Sequence, residues 1–319
     1  MSRRILVIGA AGMIGRKLVQ ALAGEDTELV LHDVVPFEGA SRVSDLSVPG
    51  EAEKLVAARP EVIFHLAAVV SGEAEADFEK GYRVNLDGTR QLFEAIRKQG
   101  AGYRPRVVFT SSIAVFGAPF PEAIGDDFLN APLTSYGTQK AIGELLLSDY
   151  SRRGFFDGIG IRLPTICVRP GRPNKAASGF FSGIIREPLA GEEAVLPVPE
   201  TVRHWFASPR AAVGFLLHAA RMNTEQLGAR RNLSMPGICA TVGEEIEALR
   251  RVAGEKVVKL IRREPDPTIQ RIVAGWPQNF DARRAAALGF RADSSFEDII
   301  RIHLQDELGK SAPPPPARA

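Results

Sequence analysis

Two side chains that could move a proton stand four residues apart in TSYGTQKA, residues 134–141: the phenol of Tyr136 and the ammonium of Lys140. A free phenol has a pKa of about 10 and is a poor base at neutral pH. A cation one helical turn away favours its phenolate. The pair would then suit a base that takes the proton from a substrate hydroxyl. The same spacing also describes a half-buried aromatic beside a surface lysine, the commoner fate of such pairs. The chemistry therefore needs a cofactor, a second donor and a substrate site elsewhere in the chain.

A cofactor cradle is legible near the start. Gly9-Ala10-Ala11-Gly12-Met13-Ile14-Gly15 follows an apolar run and opens an amphipathic one. A GxxGxxG loop between strand and helix turns tightly and lets the backbone approach a pyrophosphate, while the helix N-terminus offers free N–H groups to the anion. The last glycine lets helix and sheet pack closely. A glycine-rich turn without a ligand is the alternative, and the strand–loop–helix context argues against it. Asp33 closes the next apolar run, LVLHD, where a carboxylate can accept from both hydroxyls of the adenosine ribose and repel a 2′-phosphate. That favours NAD over NADP, although Arg42 lies close in sequence. Asp45 and Leu46 could cover the adenine.

The elements that must position these groups alternate. RILVIGA, ELVLHD, EVIFHLAA, RVVFTSS and IGIRLPTICV read as strands, with helices at MIGRKLVQALAG, 84–98 and SYGTQKAIGELLLSDYSRRG. Apolar strands separated by helices indicate parallel βαβ units with both faces covered. The second half is less regular. PRAAVGFLLHAARM reads as a helix, RNLSM as a strand returning to the main sheet, TVGEEIEALRRVAG as a helix, KVVKLIRRE as a strand and 295–308 as a final helix. The fold class expected is α/β, a Rossmann-type doubly wound parallel sheet with a smaller, discontinuous substrate domain. The cofactor domain would comprise 1–168 plus about 205–236, and the substrate domain about 169–204 plus 237–310. The tail 311–319, proline-rich, lacks a core-forming pattern.

Composition narrows the partners. A net charge of +2 with scattered basic residues gives no electrostatic footprint for nucleic acid or an acidic membrane. No apolar run is long enough to span a bilayer. Cys167 and Cys239, the two cysteines, have no metal-ligand spacing and suit a reducing cytoplasm. No metal is expected.

Taken in order, GAAGMIG, HLAAVVS, NLDGT, FTSSIAVFG, SYGTQK and IRLPTICVRPG resemble the extended short-chain dehydrogenase/reductase family over roughly the first 170 residues. The resemblance implies bound NAD, a catalytic set of Ser112, Tyr136 and Lys140, and Leu66, Ala67 and Ala68 beside the cofactor with Asn85 near it. Ser112 would position the substrate oxygen while Tyr136 removes its proton and Lys140 bonds the nicotinamide ribose. RHWFASPRAAVGFL, RNLSMPG and TVGEEIEALRRVAGE resemble a narrower group within that family, which oxidises the four-carbon acid D-erythronate at C2. Two departures separate the chain from other branches. Phe116 stands where many nucleotide-sugar epimerases carry tyrosine. Ile113 and Ala114 follow Ser112 where dehydratases carry an acidic pair.

A sugar acid needs a donor for its carboxylate, and arginine binds carboxylates in a planar, bidentate fashion. Arg169, Arg172, Arg203 and Arg210 are the candidates, Arg203 foremost because its position resembles the phosphate-binding arginine of nucleotide-sugar relatives. Ser71, just past HLAAVV, could bond the substrate. Three readings remain open. The first is an NAD-dependent dehydrogenase of a small sugar acid. The second is a nucleotide-sugar epimerase that holds NAD tightly. The third is a dinucleotide-binding sensor without catalysis. The family often pairs through Rossmann helices, so 84–98 and 135–153 are candidate homodimer surfaces by resemblance.

Overall fold

The computed structural model describes residues 2–24, 26–171 and 177–309. Twelve strands are present among the described residues: β1 Arg3–Ile8, β2 Thr27–Asp33, β3 Arg42–Val43, β4 Val62–His65, β5 Arg106–Ser112, β6 Asp157–Leu163, β7 Thr165–Ile166, β8 Ala194–Leu196, β9 Arg203–Ala207, β10 Asn232–Ser234, β11 Ile238–Thr241 and β12 Ile261–Arg263. Seven form one sheet in the order β10–β6–β5–β4–β1–β2–β3, and every pairing in it is parallel. This is a Rossmann-type α/β fold. The order reverses between β1 and β4, which opens a crevice at the carboxyl ends of those strands.

The apolar strands are explained by two cores. Ile5, Val7 and Phe64 pack with Leu18, Phe215 and Leu216 from the helices Met13–Leu22 and Pro209–Arg221. Leu6, Ile8 and Ile63 point the other way, against Leu92, Phe93 and Leu147 from Gly88–Lys98 and Ser135–Arg152. Successive strand residues thus serve opposite faces, and neither face can be polar. RNLSM does return to the main sheet, with β10 parallel to β6.

A smaller substructure holds β7, β9 and β11 in one sheet and β8 with β12 in another. Its core includes Phe181, Ile184, Ile246, Leu249, Phe296 and Ile300. Three expected elements differ. IGIRLPTICV is two strands in two sheets, because Pro164 lacks the N–H needed to continue the ladder. KVVKLIRRE begins as a helical turn, Glu255–Val258, that buries Val258, and only Ile261–Arg263 is strand. The helix expected from 84 is a π-helical turn, Tyr82–Asp87, leading into Gly88–Lys98. Among the described residues no helix is long and apolar enough to cross a membrane, and none of their side chains cluster as a metal site.

Candidate active site

The glycine loop has the shape its sequence implies. Gly9 adopts φ +91°, and a Cβ there would lie 2.6 Å from the Ala67 nitrogen. A Cβ on Gly15 would lie 2.1 Å from the Gly9 carbonyl oxygen. Gly12 caps the helix Met13–Leu22 in extended conformation and offers no side chain to its first amides. Met13 and Ile14, in the first turn, are half-buried. Those amides and the open cradle suit a pyrophosphate. Asp33 braces the loop by accepting from the Ala11 amide at 2.9 Å and from the Val35 amide at 3.2 Å. Arg42 is committed to Glu51 at 2.8 Å, and hydrogen bonds from Lys54 and then Arg42 hold the Glu51 carboxyl down at about 2. The cation that could have welcomed a 2′-phosphate is therefore occupied. Asp45 accepts from Ser47 and pairs with Arg83, while Leu46 is buried beside it.

The helix Ser135–Arg152 brings the reactive pair to the end of β5. Thr134 caps it, its hydroxyl accepting from the Gly137 amide at 3.1 Å. Gly137 lets this first turn seat on the backbone, since a Cβ would meet the Ala114 carbonyl oxygen at 2.1 Å. Tyr136 is thereby set against Ser112. Burial pushes the Tyr136 pKa up, opposed by a hydrogen bond with Ser112 and by the charge of Arg169. Lys140 is buried, donates to the Thr110 carbonyl at 2.8 Å, and lies 4.9 Å from the Phe109 ring centroid and 5.8 Å from that of Tyr136. Burial lowers its pKa to about 8, against the pull of Glu144. The Lys140 ammonium thus stands within 5.8 Å of the Tyr136 ring while bonded to a backbone carbonyl, and the charge of Arg169 also acts on Tyr136.

Leu66, Ala67 and Ala68 leave β4 half-buried, facing the crevice, with the Leu66 and Ala67 amides both donating to the Ile8 carbonyl. Asn85 is buried and clamps the next residue: it accepts from the Val69 amide at 2.8 Å and donates to the Val69 carbonyl at 2.9 Å. Ser71 begins the short helix that follows, Ser71–Ala76. His65 is buried against Thr89, at 2.8 Å, and burial takes its pKa down to about 3, so it stays neutral.

The arginines separate clearly. Arg169 is half-buried, its Nε donating to the Ile166 carbonyl at 3.2 Å, and burial lowers its pKa. Arg203, foremost in the sequence, is exposed on β9 and turned to Cys239, 3.6 Å away. Arg210 pairs with Asp306 on the surface, and Arg172 lies outside the described residues. His204 follows Arg203 on β9. It is buried, stacked on Phe181 at 5.0 Å and bonded to Thr165 at 2.7 Å. Cys167 is core. A cavity of about 790 Å³ runs along the helix Gly179–Ala190, lined in part by Glu187, Glu192, Glu193, Glu264 and Asp266 against Arg186.

The sequence pattern of the NAD dependent epimerase/dehydratase family matches residues 5–226. A D-erythronate dehydrogenase from Cupriavidus necator is 48% identical, over 95% of this chain and 98% of that protein. Another, from Haemophilus influenzae, is 41% identical over 96% and 100%. Among solved structures, a nucleoside-diphosphate-sugar epimerase from Agrobacterium tumefaciens superposes with a TM-score of 0.93 at 67% identity, covering 97% of this chain and 96% of its own. An L-threonine 3-dehydrogenase from Trypanosoma brucei gives 0.85 at 25% identity, over 95% and 96%.

Proposed function

The chain belongs to the NAD dependent epimerase/dehydratase family, and from that premise we propose that it oxidises a small sugar acid, D-erythronate, at its C2 hydroxyl to 2-oxo-tetronate. The observation that carries this reading is the likeness, 48% and 41% identity over nearly the whole chain, to two proteins named D-erythronate dehydrogenase. In a 2-hydroxy acid the reacting hydroxyl and the carboxylate sit on adjacent carbons. A base and a carboxylate-binding cation must then lie near each other, and the charge of Arg169 is one that acts on Tyr136. Arg169 would hold the carboxylate, with Ser71 and, by sequence, Arg172 and Arg203 as further candidates at the rim.

Within such a complex each residue has a task. Ser112 donates a hydrogen bond to the C2 oxygen and orients it. Tyr136 takes the hydroxyl proton. Lys140, tethered to Thr110, would keep a positive charge 5.8 Å from the Tyr136 ring and would bond the nicotinamide ribose. Gly9, Gly12, Met13, Ile14 and Gly15 would cradle the pyrophosphate, Asp33 the adenosine ribose, Asp45 and Leu46 the adenine, and Leu66, Ala67 and Ala68 the nicotinamide side. NAD, when bound, supplies the hydride acceptor. The relatives named D-erythronate dehydrogenase support the choice of acid.

One observation favours a second reading: the Agrobacterium structure, 67% identical, is described as a nucleoside-diphosphate-sugar epimerase. Against it, Phe116 stands where many nucleotide-sugar epimerases carry tyrosine. A sensor without catalysis has no use for Tyr136 and Lys140 together. The test is NADH formation, followed by absorbance, with D-erythronate, its stereoisomers, longer aldonates and uronates. Turnover of a four-carbon acid, reduced at least about a thousandfold in Tyr136→Phe while NADH still binds, is expected. Silence with every acid, together with copurifying NAD and conversion of a UDP-sugar to its epimer, would transfer the assignment to the epimerase.

A further inference from the structure

The groups around the crevice are joined by buried hydrogen bonds that, together with the covalent link between Gln139 and Lys140 and that within Asn85, form a circuit. The ring of His65 on β4 meets the Thr89 hydroxyl at 2.8 Å, and that hydroxyl donates to the Asn85 carbonyl at 2.7 Å. The Asn85 side-chain amide donates to Gln139 Oε1 at 2.7 Å. Lys140, the next residue, donates to the Thr110 carbonyl, and the Thr110 hydroxyl returns to the His65 carbonyl at 2.9 Å. Every member is buried. The circuit ties β4, β5, the π-helical turn and the Tyr136 helix together.

Gln139 is the member that sequence analysis passed over. It is fully buried, yet its Nε2 has no hydrogen-bond partner among the described residues. A buried unpaired amide is costly and demands a reason. Room for it exists only because residue 81 is glycine: a Cβ there would lie 2.7 Å from Nε2. An apolar side chain would fill this space without the cost. What it would lose is the carbonyl that receives Asn85, and Asn85 is the clamp on both backbone polar atoms of Val69.

We propose that Gln139 is a positioning residue, which through Asn85 fixes the cofactor-facing loop Leu66–Val70 relative to Tyr136 and Lys140. This rests on the reading of the crevice as an NAD site, not on the identity of the acid. Gln139 touches neither cofactor nor substrate; it sets the distance between the surface that holds one and the base that acts on the other. Small displacements of that kind cost turnover more than substrate affinity.

The test uses Gln139→Met, equal in length but without the acceptor, on the full chain. NADH affinity, read by fluorescence titration, is expected to weaken about three- to tenfold, the worth of one buried hydrogen bond. Turnover per folded molecule is expected to fall about tenfold, with the sugar-acid KM within about twofold of the parent. Gly81→Ala leaves every hydrogen-bonding atom in place but must push the Gln139 amide, so it is expected to give the same pattern, and it carries the test should Gln139→Met fail to fold. Folded variants with parental NADH affinity and turnover, or with a lower melting temperature as their only change, would overturn the proposal. Should the parent oxidise no sugar acid, the functional assignment fails by itself, because the NADH titration still reads the Gln139 effect.

Discussion

Tyr136 and Lys140 carry opposite shifts from one cause. Burial penalises a phenolate and an ammonium alike, so the tyrosine pKa rises while the lysine pKa falls to about 8. Catalysis needs the unfavoured form of both: the phenolate and the ammonium. Below about pH 8 Lys140 holds its proton, and the phenolate fraction grows tenfold per pH unit. Above it, ammonium is lost as fast as phenolate is gained, up to the tyrosine pKa. The kcat/KM for oxidation is therefore expected to climb to about pH 8 and then level. Ser112→Ala removes a hydrogen bond that lowers the tyrosine pKa. It should depress the plateau and leave the break near 8 in place, because the break belongs to Lys140. A break that moves with Ser112→Ala would assign it to the tyrosine instead. Arg169→Gln is expected to raise the sugar-acid KM by about a hundredfold, whereas Arg203→Gln changes it less than twofold. Equal effects, or the reverse, would return the carboxylate to Arg203. The preference between these arginines could not be read from spacing. What separates them is burial: Arg169 is half-buried and bonded to the Ile166 carbonyl, whereas Arg203 is exposed.

At the scale of elements, the cradle was the most legible part, because its requirements are local. Strand, glycine loop and helix follow one another without interruption, and each glycine is explained by a backbone atom a few ångströms away. Gly15→Ala makes the point testable. With a Cβ 2.1 Å from the Gly9 carbonyl oxygen, helix and loop must separate, and NADH affinity should drop at least about tenfold. Unchanged affinity in a titration would mean the loop does not hold the pyrophosphate. The main-sheet strands other than the two-residue edge strand β3 were equally readable, the central ones because burial on both faces leaves unbroken apolar runs. The smaller sheets were not. Their strands span two to five residues, too short for a period to show. Pro164 sends an apparently continuous run into a second sheet. The Asn85–Gln139 bond was illegible for a different reason: its partners are 54 residues apart, and neither residue type declares a partner.

At the scale of the whole molecule, the end of the sheet opposite the crevice is held by charge. Asp157, at the start of β6, pairs with Arg106 of β5 at 2.7 Å and with Arg231, just before β10, at 3.0 Å. It also accepts from Thr224 at 2.6 Å, and Arg106 reaches the Ala219 carbonyl at the close of the helix Pro209–Arg221 at 2.7 Å. One carboxylate thus gathers three segments that come together only when the late strand returns. Burial would raise its pKa, but the Thr224 hydrogen bond and Arg106 outweigh that, so the folded pKa lies below the ordinary one. The sign follows directly: the stabilisation is present above the ordinary carboxylate pKa of about 4 and is lost as the pH falls through the lower folded value. Removing the carboxylate strands two half-buried guanidinium groups. Asp157→Ala is therefore expected to lose about 2–3 kcal/mol in urea unfolding at neutral pH, with the deficit shrinking in acid below about pH 4. Turnover per folded molecule should be unchanged, because the cluster lies at the amino end of strands whose carboxyl ends carry the chemistry. A deficit that stayed constant into acid would show that packing, not the charge, holds this end together.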